Sequence, residues 1–317
     1  MPPHLLLFGL GYSARAVAAL ALPAGWRVSA TSRDPDAAVP HPGVRLVAAT
    51  ADAVAPELAS ATHWLSSAPP DATGSDPILR LLAAAGVDAS IGAGIGAGGS
   101  ARPRWIGYLS TTGVYGDRGG GWVDEHTRPD PTGPRGRRRL RAERDWAALA
   151  SRLGAPLDLF RLAGIYGPGR SVLDEVRAGR ARRVDAPGHC FGRIHRDDIA
   201  GAVLAAIARP EPPGAPPRVL NLSDDLPAES AAVIAEAARL LGKDPPPLVP
   251  LAAARERMGE MGRSFWNENR KVSSRLTRER LRRPWLFPTF REGLRAVLDA
   301  ECRTASASAD QLGDRVP

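Results

Sequence analysis

Along the chain, short runs of apolar, β-favouring residues alternate with stretches whose apolar positions recur at helical spacing. The runs fall at 5–9, 26–32, 44–50, 63–68, 104–110, 157–163 and 218–223. They are apolar nearly throughout, not at every second position, which predicts strands buried on both faces. Helical spacing covers 13–22, 77–85, 136–153 and 197–208 between them. Strands and helices interleaved in this way predict an α/β fold: a doubly wound parallel Rossmann sheet of about seven strands.

Beyond residue 223 the pattern turns mostly helical, at 228–241 (closed by Gly242), 251–262 and 289–301. This predicts a small C-terminal lobe on the carboxyl side of the sheet. Three stretches break the rhythm. ASIGAGIGAGGS at 89–100 has too little side chain to bury and reads as a flexible surface insertion. PEPPGAPP at 210–217 reads as a stiff connector, and 303–317 as a polar tail without order. The expected division is therefore a dinucleotide-binding domain at 1–165 and 193–223, a substrate-side lobe at 166–192 and 224–302, and the tail.

Composition narrows the function classes. In 317 residues no apolar run approaches the roughly 20 needed to span a bilayer, and two glycines interrupt the N-terminal MPPHLLLFGLGYS where a signal peptide would continue. Two cysteines, Cys190 and Cys302, make no disulfide framework, so a reducing cytoplasm is expected. The net charge is +8, and all but two of the 42 basic residues are arginine. The one dense cluster, Arg135, Arg137, Arg138, Arg139 and Arg141, has no interleaved aromatics. It reads as a solvated helix face, not a nucleic-acid surface.

The first strand runs into Gly9-Leu10-Gly11-Tyr12-Ser13-Ala14, a G-x-G-x-x-A placed between a strand and a helix. Gly9 suits the tight turn, Gly11 lets backbone approach a diphosphate, and Ala14 keeps helix and strand close. The helix N-terminus, from Tyr12 and Ser13 on, offers N–H groups and positive dipole to the anion. Strand two ends in Thr31-Ser32-Arg33-Asp34. Hydroxyls beside a guanidinium suit a ribose 2′-phosphate, which predicts NADP ahead of NAD; Asp34 as a ribose acid is the competing reading. Ser67 and Ala68, ending strand four, should pass beside the adenosine and diphosphate.

Five motifs carry a family resemblance. Ser110-Thr111-Thr112-Gly113-Val114-Tyr115-Gly116 resembles the S-[ST]-x-x-V-Y-G segment of the extended short-chain dehydrogenase/reductases, also called the NAD-dependent epimerase/dehydratase family. Asp124-Glu125 resembles that family's acidic pair. The segments at 161–169, 193–200 and 269–276 are similar to its R-x-x-x-[VIL]-[YF]-G-P, [FH]-[IV]-[HY]-V-x-D-[VI]-A and N-K-R-V-S-x-x-[RK]-L elements. The likeness is greatest to an atypical subgroup with a G-x-G-[WY] loop and an R-L-A-G-[IL]-x-G-P-G-R turn.

The resemblance implies hydride transfer at a nicotinamide, with a small-molecule substrate such as a sugar nucleotide, in a monomer or homodimer. Gly9, Gly11, Tyr12, Ser13, Ala14, Ser32, Arg33, Ser67, Ala68 and Ser110 would hold the cofactor. The family's proton-transfer pair, Y-x-x-x-K, is missing. Counting back from the helix acid, here Glu143, puts Arg139 at the lysine and Arg135 at the tyrosine; none of the four tyrosines has a lysine four residues on. Thr111 takes the place of the family's oxygen-polarising hydroxyl. Tyr115, or alternatively His195, is then the candidate proton donor. A cofactor-binding sensor or scaffold without turnover is the alternative. No spacing suggests a metal site.

Overall fold

The computed structural model describes residues 2–87 and 102–313; the glycine-rich 89–100 lies outside them. Seven strands form one all-parallel sheet: β1 His4–Phe8, β2 Arg27–Ser32, β3 Val44–Ala48, β4 His63–Ser66, β5 Trp105–Thr111, β6 Leu157–Leu162 and β7 Arg218–Leu222. Their order is 7-6-5-4-1-2-3, so the sequence reverses direction between β1 and β4. Both faces are covered, which explains the unbroken apolar runs. On β1, Leu5 and Leu7 point to one side and meet Ala14, Val17, Val203 and Ala206. Leu6 and Phe8 point to the other and meet Trp64, Ile106, Tyr108 and Trp146. Each fully buried leucine contributes about 1.5–3 kcal/mol.

Helices α1 Tyr12–Ala21 and α6 Arg196–Ile207 pack together on the first face. On the second lie α2 Ala51–Ser60, α3 Pro77–Ala84 and α4 Pro134–Leu153. Here Asp76 both caps α3, accepting from the Ile78 and Leu79 amides, and receives the Trp146 indole N–H of α4 at 2.9 Å. A third core gathers α5 Val172–Arg177, α7 Ser230–Leu240 and α11 Phe290–Gly313 around Leu173, Val233, Ile234, Phe290 and Val297.

Three stretches differ from expectation. The helix foreseen over 251–262 is two, α8 Leu251–Glu256 and α9 Glu260–Phe265, parted at Met258-Gly259. Glycine's backbone freedom makes it the weak point of the pattern. Ala228–Glu229 pairs with Cys190–Phe191 as strand, so α7 starts two residues later than the apolar spacing suggests. α11 continues through Gly313, into the stretch read as a tail. Ala305, Ala307 and Ala309 lie there, and alanine extends an already nucleated helix at little cost. A further helix, α10 Arg275–Leu281, packs against α6 and β7.

Candidate functional site

The carboxyl edges of β1, β2, β4 and β5 bring most of the candidate residues to one end of the sheet. At β1, Gly9 has φ +90°, which admits the tight turn only because no Cβ is present. Its amide donates to Thr31 Oγ1 (3.0 Å) and its carbonyl accepts from Ser67 Oγ (3.0 Å), so the tips of β2 and β4 both grip the loop. Gly11 is the N-cap of α1, and no side chain caps this helix. The first-turn amides are thus left without an intrahelical or side-chain acceptor. A Cβ at Gly11 would meet nothing within 4 Å. Open space over an uncapped helix N-terminus fits a diphosphate. Ser13 and Ala14 are buried under this turn, and Ala68 packs against the core on the second face.

Tyr12 does not stop at the loop. Its hydroxyl donates to the Pro168 carbonyl at 3.0 Å, fastening the 167–170 turn onto α1. The Arg170 and Arg196 guanidiniums lie 5.6 and 5.3 Å from the centre of its ring. Neither arginine was distinguished by sequence, although both lie within the family-like motifs.

At the β2 tip, Ser32 Oγ donates to the Asp34 carbonyl (2.9 Å) and Asp34 Oδ1 accepts from the Ala37 amide (3.1 Å). The Asp34 carboxylate therefore closes a local turn. Arg33 is exposed.

The β5 tip carries a buried polar network. Ser110 Oγ donates to Glu143 Oε1 at 2.5 Å, and Glu143 receives Arg161 through Nε (3.1 Å) and a terminal nitrogen (2.8 Å). Arg161 stacks on Tyr115, 4.9 Å from its ring centre, and the Tyr115 hydroxyl donates to Asn221 Oδ1 at 2.8 Å. Tyr115 is fully buried, and burial pushes its phenol above the usual range. Ser110 is likewise buried, behind Thr111. Thr111 is half-buried; its Oγ1 accepts from the Gly113 amide at 3.1 Å. Arg139, at the lysine position, turns away: it donates to Tyr108 Oη (3.1 Å) and the Leu109 carbonyl (3.0 Å).

His195 caps α6. Its Nδ1 accepts from the Asp197 amide at 3.2 Å, and the ring meets Tyr166 and Phe287 at centroid distances of 5.2 and 4.3 Å. Burial pulls its pKa down to about 4, against the partial opposition of Asp197. Among the described residues, Thr111, Tyr115 and His195 share no hydrogen bond. A feature not foreseen lies beside His195: its Nε2, the Tyr166 hydroxyl and both Asp224 carboxylate oxygens are buried without hydrogen-bond partners. Burial pushes Asp224 up to about 7. No local sequence signal marks Asp224, since its burial comes from the packing of distant segments.

No family model matches the chain. A solved protein of Silicibacter pomeroyi, described as functionally unknown and conserved, is 41% identical; the match covers 94% of this chain and 99% of that one, with a TM-score of 0.81. This chain and the Silicibacter protein belong to one family. Protein YeeZ of Escherichia coli K12 is 34% identical over 146 residues, 45% of this chain. The match spans about half (48%) of YeeZ's own length. Human epimerase family protein SDR39U1, solved with NADPH, is 20% identical over 93% of this chain and 99% of its own, with a TM-score of 0.68. UDP-glucose 4-epimerase of Thermotoga maritima, solved with UDP-glucose, is 15% identical over 95% and 99%, with a TM-score of 0.73. The fold is that of the extended short-chain dehydrogenase/reductases, the NAD-dependent epimerase/dehydratase proteins. In this fold the Gly9–Ala14 loop follows β1 and Thr111 ends β5.

Proposed function

We propose that this chain is an NADP(H)-dependent oxidoreductase or epimerase-like protein that works without the Tyr-x-x-x-Lys pair, on a small anionic substrate such as a sugar nucleotide. The observation that carries the reading is the uncapped N-terminus of α1 under the open space at Gly11. NADPH in SDR39U1 and UDP-glucose in the Thermotoga epimerase support the choice of ligands. The bound nicotinamide would supply or accept hydride. The chain's own work is to hold the diphosphate on the α1 amides and the 2′-phosphate at Arg33, and to polarise a substrate oxygen with Thr111. One Asp34 carboxylate oxygen is engaged in its own turn, which favours Arg33 over a ribose acid.

A second reading rests on the commitment of the proton-transfer candidates. Tyr115 and His195 are both buried and hydrogen-bonded, which favours a dinucleotide-binding sensor without turnover. The test is Gly11→Val. Its backbone, φ −79°, admits valine, and its Cβ finds open space. The variant should melt with the parent protein yet lose NADPH and NADH binding. Retained dinucleotide binding would sink the proposal. Turnover of the parent with NADPH and a panel of nucleotide sugars separates the enzyme from the sensor.

A further inference from the structure

The 167–170 turn makes a second contact with the phosphate-loop region that the dinucleotide motif does not require. Gly167 and Arg170 exchange backbone hydrogen bonds at 3.1 and 3.0 Å, closing a tight turn around Pro168-Gly169, with Gly169 at φ +70°. Proline followed by a glycine of positive φ is the signature of a type II turn. The turn sits against the first turn of α1: a Cβ at Gly167 would fall 2.6 Å from Tyr12 Oη and 3.1 Å from the Arg196 stem. Glycine at 167 therefore permits the approach, and the Tyr12–Pro168 hydrogen bond locks it.

The result is two guanidiniums, from separate loops, on one tyrosine ring. One carboxylate, Asp197, reaches Arg196 at 3.2 Å, while Arg170 has no carboxylate partner among the described residues and is exposed. Two guanidiniums on one ring beside the positive end of a helix make a locally cationic site that favours an anion. A guanidinium fork matches phosphate oxygens with two N–H donors. Tyr12 supplies the flat, rigid face that fixes both.

We propose that Arg170 and Arg196, seated on Tyr12 at the start of α1, form a clamp for a diphosphate ester. This rests on the proposed dinucleotide binding for the identity of one ligand, but the clamp can be read independently. The diphosphate could belong to the cofactor or to a nucleotide substrate, so both are assayed.

The experiment titrates inorganic pyrophosphate, NADPH and UDP-glucose against the parent protein, Arg170→Ala and Arg170→Ala/Arg196→Gln, by calorimetry at low and moderate salt. Circular dichroism and the melting temperature check that the variants are folded, and Arg170→Lys, which keeps charge but not the fork, serves as a conservative comparison. Arg170→Ala should weaken pyrophosphate and at least one of the two esters by about ten- to a hundredfold, the double variant more, with Arg170→Lys between. Loss for NADPH alone assigns the cofactor's diphosphate, loss for UDP-glucose alone assigns the substrate's, and either supports the clamp. Unchanged affinity for all three ligands in the folded double variant overturns it. So does a parent protein that binds none of the three. A parent that binds pyrophosphate but not NADPH would overturn the proposed function, and the clamp would then stand or fall on whether the variants lose pyrophosphate.

Discussion

The Tyr115 hydroxyl donates to Asn221 Oδ1 at 2.8 Å, across the tips of β5 and β7. The phenol thus ties the turn that follows β5 to β7 from within the core, and the Arg161 guanidinium covers its ring. Tyr115→Phe leaves the Asn221 acceptor buried with one partner fewer, which typically costs about 1–3 kcal/mol. Urea unfolding should show that loss. If Tyr115 acts only through this bond, turnover per folded molecule stays at the parent level; a selective fall in turnover with unchanged stability would instead make it the proton donor.

Glu143 is the centre of the same network, holding Ser110 and Arg161. Both partners of the ion pair are buried, at 3% and 4% exposure. Removing one charge of such a pair is far more damaging than the pair is stabilising. Glu143→Gln should destabilise by about 3–5 kcal/mol, because it strands the Arg161 charge. Chemical denaturation measures this, and a loss below 1 kcal/mol would show that solvent reaches Arg161 in the folded protein.

Arg33 is exposed at the β2 tip, so its removal should leave stability unchanged. Arg33→Ala should weaken NADPH by about ten- to a hundredfold while NADH barely moves. Equal losses for both cofactors would show that Arg33 does not meet the 2′-phosphate.

His195 and Asp224 set opposing pH dependences. Burial holds His195 neutral, at about 4 against its ordinary 6.5. As pH falls from 6.5 to 4 the unfolded chain takes up a proton that the folded one refuses, so stability is lost over that window. Asp224 is shifted the other way, up to about 7 from 3.8. Its folded form keeps a proton that the unfolded chain sheds above 3.8, so that contribution is present at low pH and lost as pH rises through 7. Between 4 and 6.5 the two slopes oppose. His195→Gln should leave a stability that declines from pH 4 to 7, and Asp224→Asn one that climbs from 4 to 6.5, each by about 1 kcal/mol per pH unit. Parallel profiles for the two variants, from urea titrations between pH 4.5 and 7.5, would contradict these environments.

What the sequence determined by itself is what local pattern encodes. Seven apolar runs became seven strands, because a strand buried on both faces leaves no polar alternation to misread. The turn after β1 was legible at Gly9, because a positive φ is a demand that glycine meets without help from distant residues. The tertiary structure decided which polar groups face inward. Tyr115, Ser110 and His195 belong to motifs that name them, yet the motifs say nothing of Asn221, Glu143 or Phe287, which lie 106, 33 and 92 positions away in the chain and engage them. Arg170 and Arg196 likewise meet only because Tyr12, at the other end of the chain's first crossover, offers both of them one ring. Hydrogen bonds and charge pairs of this kind form between residues far apart in sequence, and only the closed fold puts them within reach.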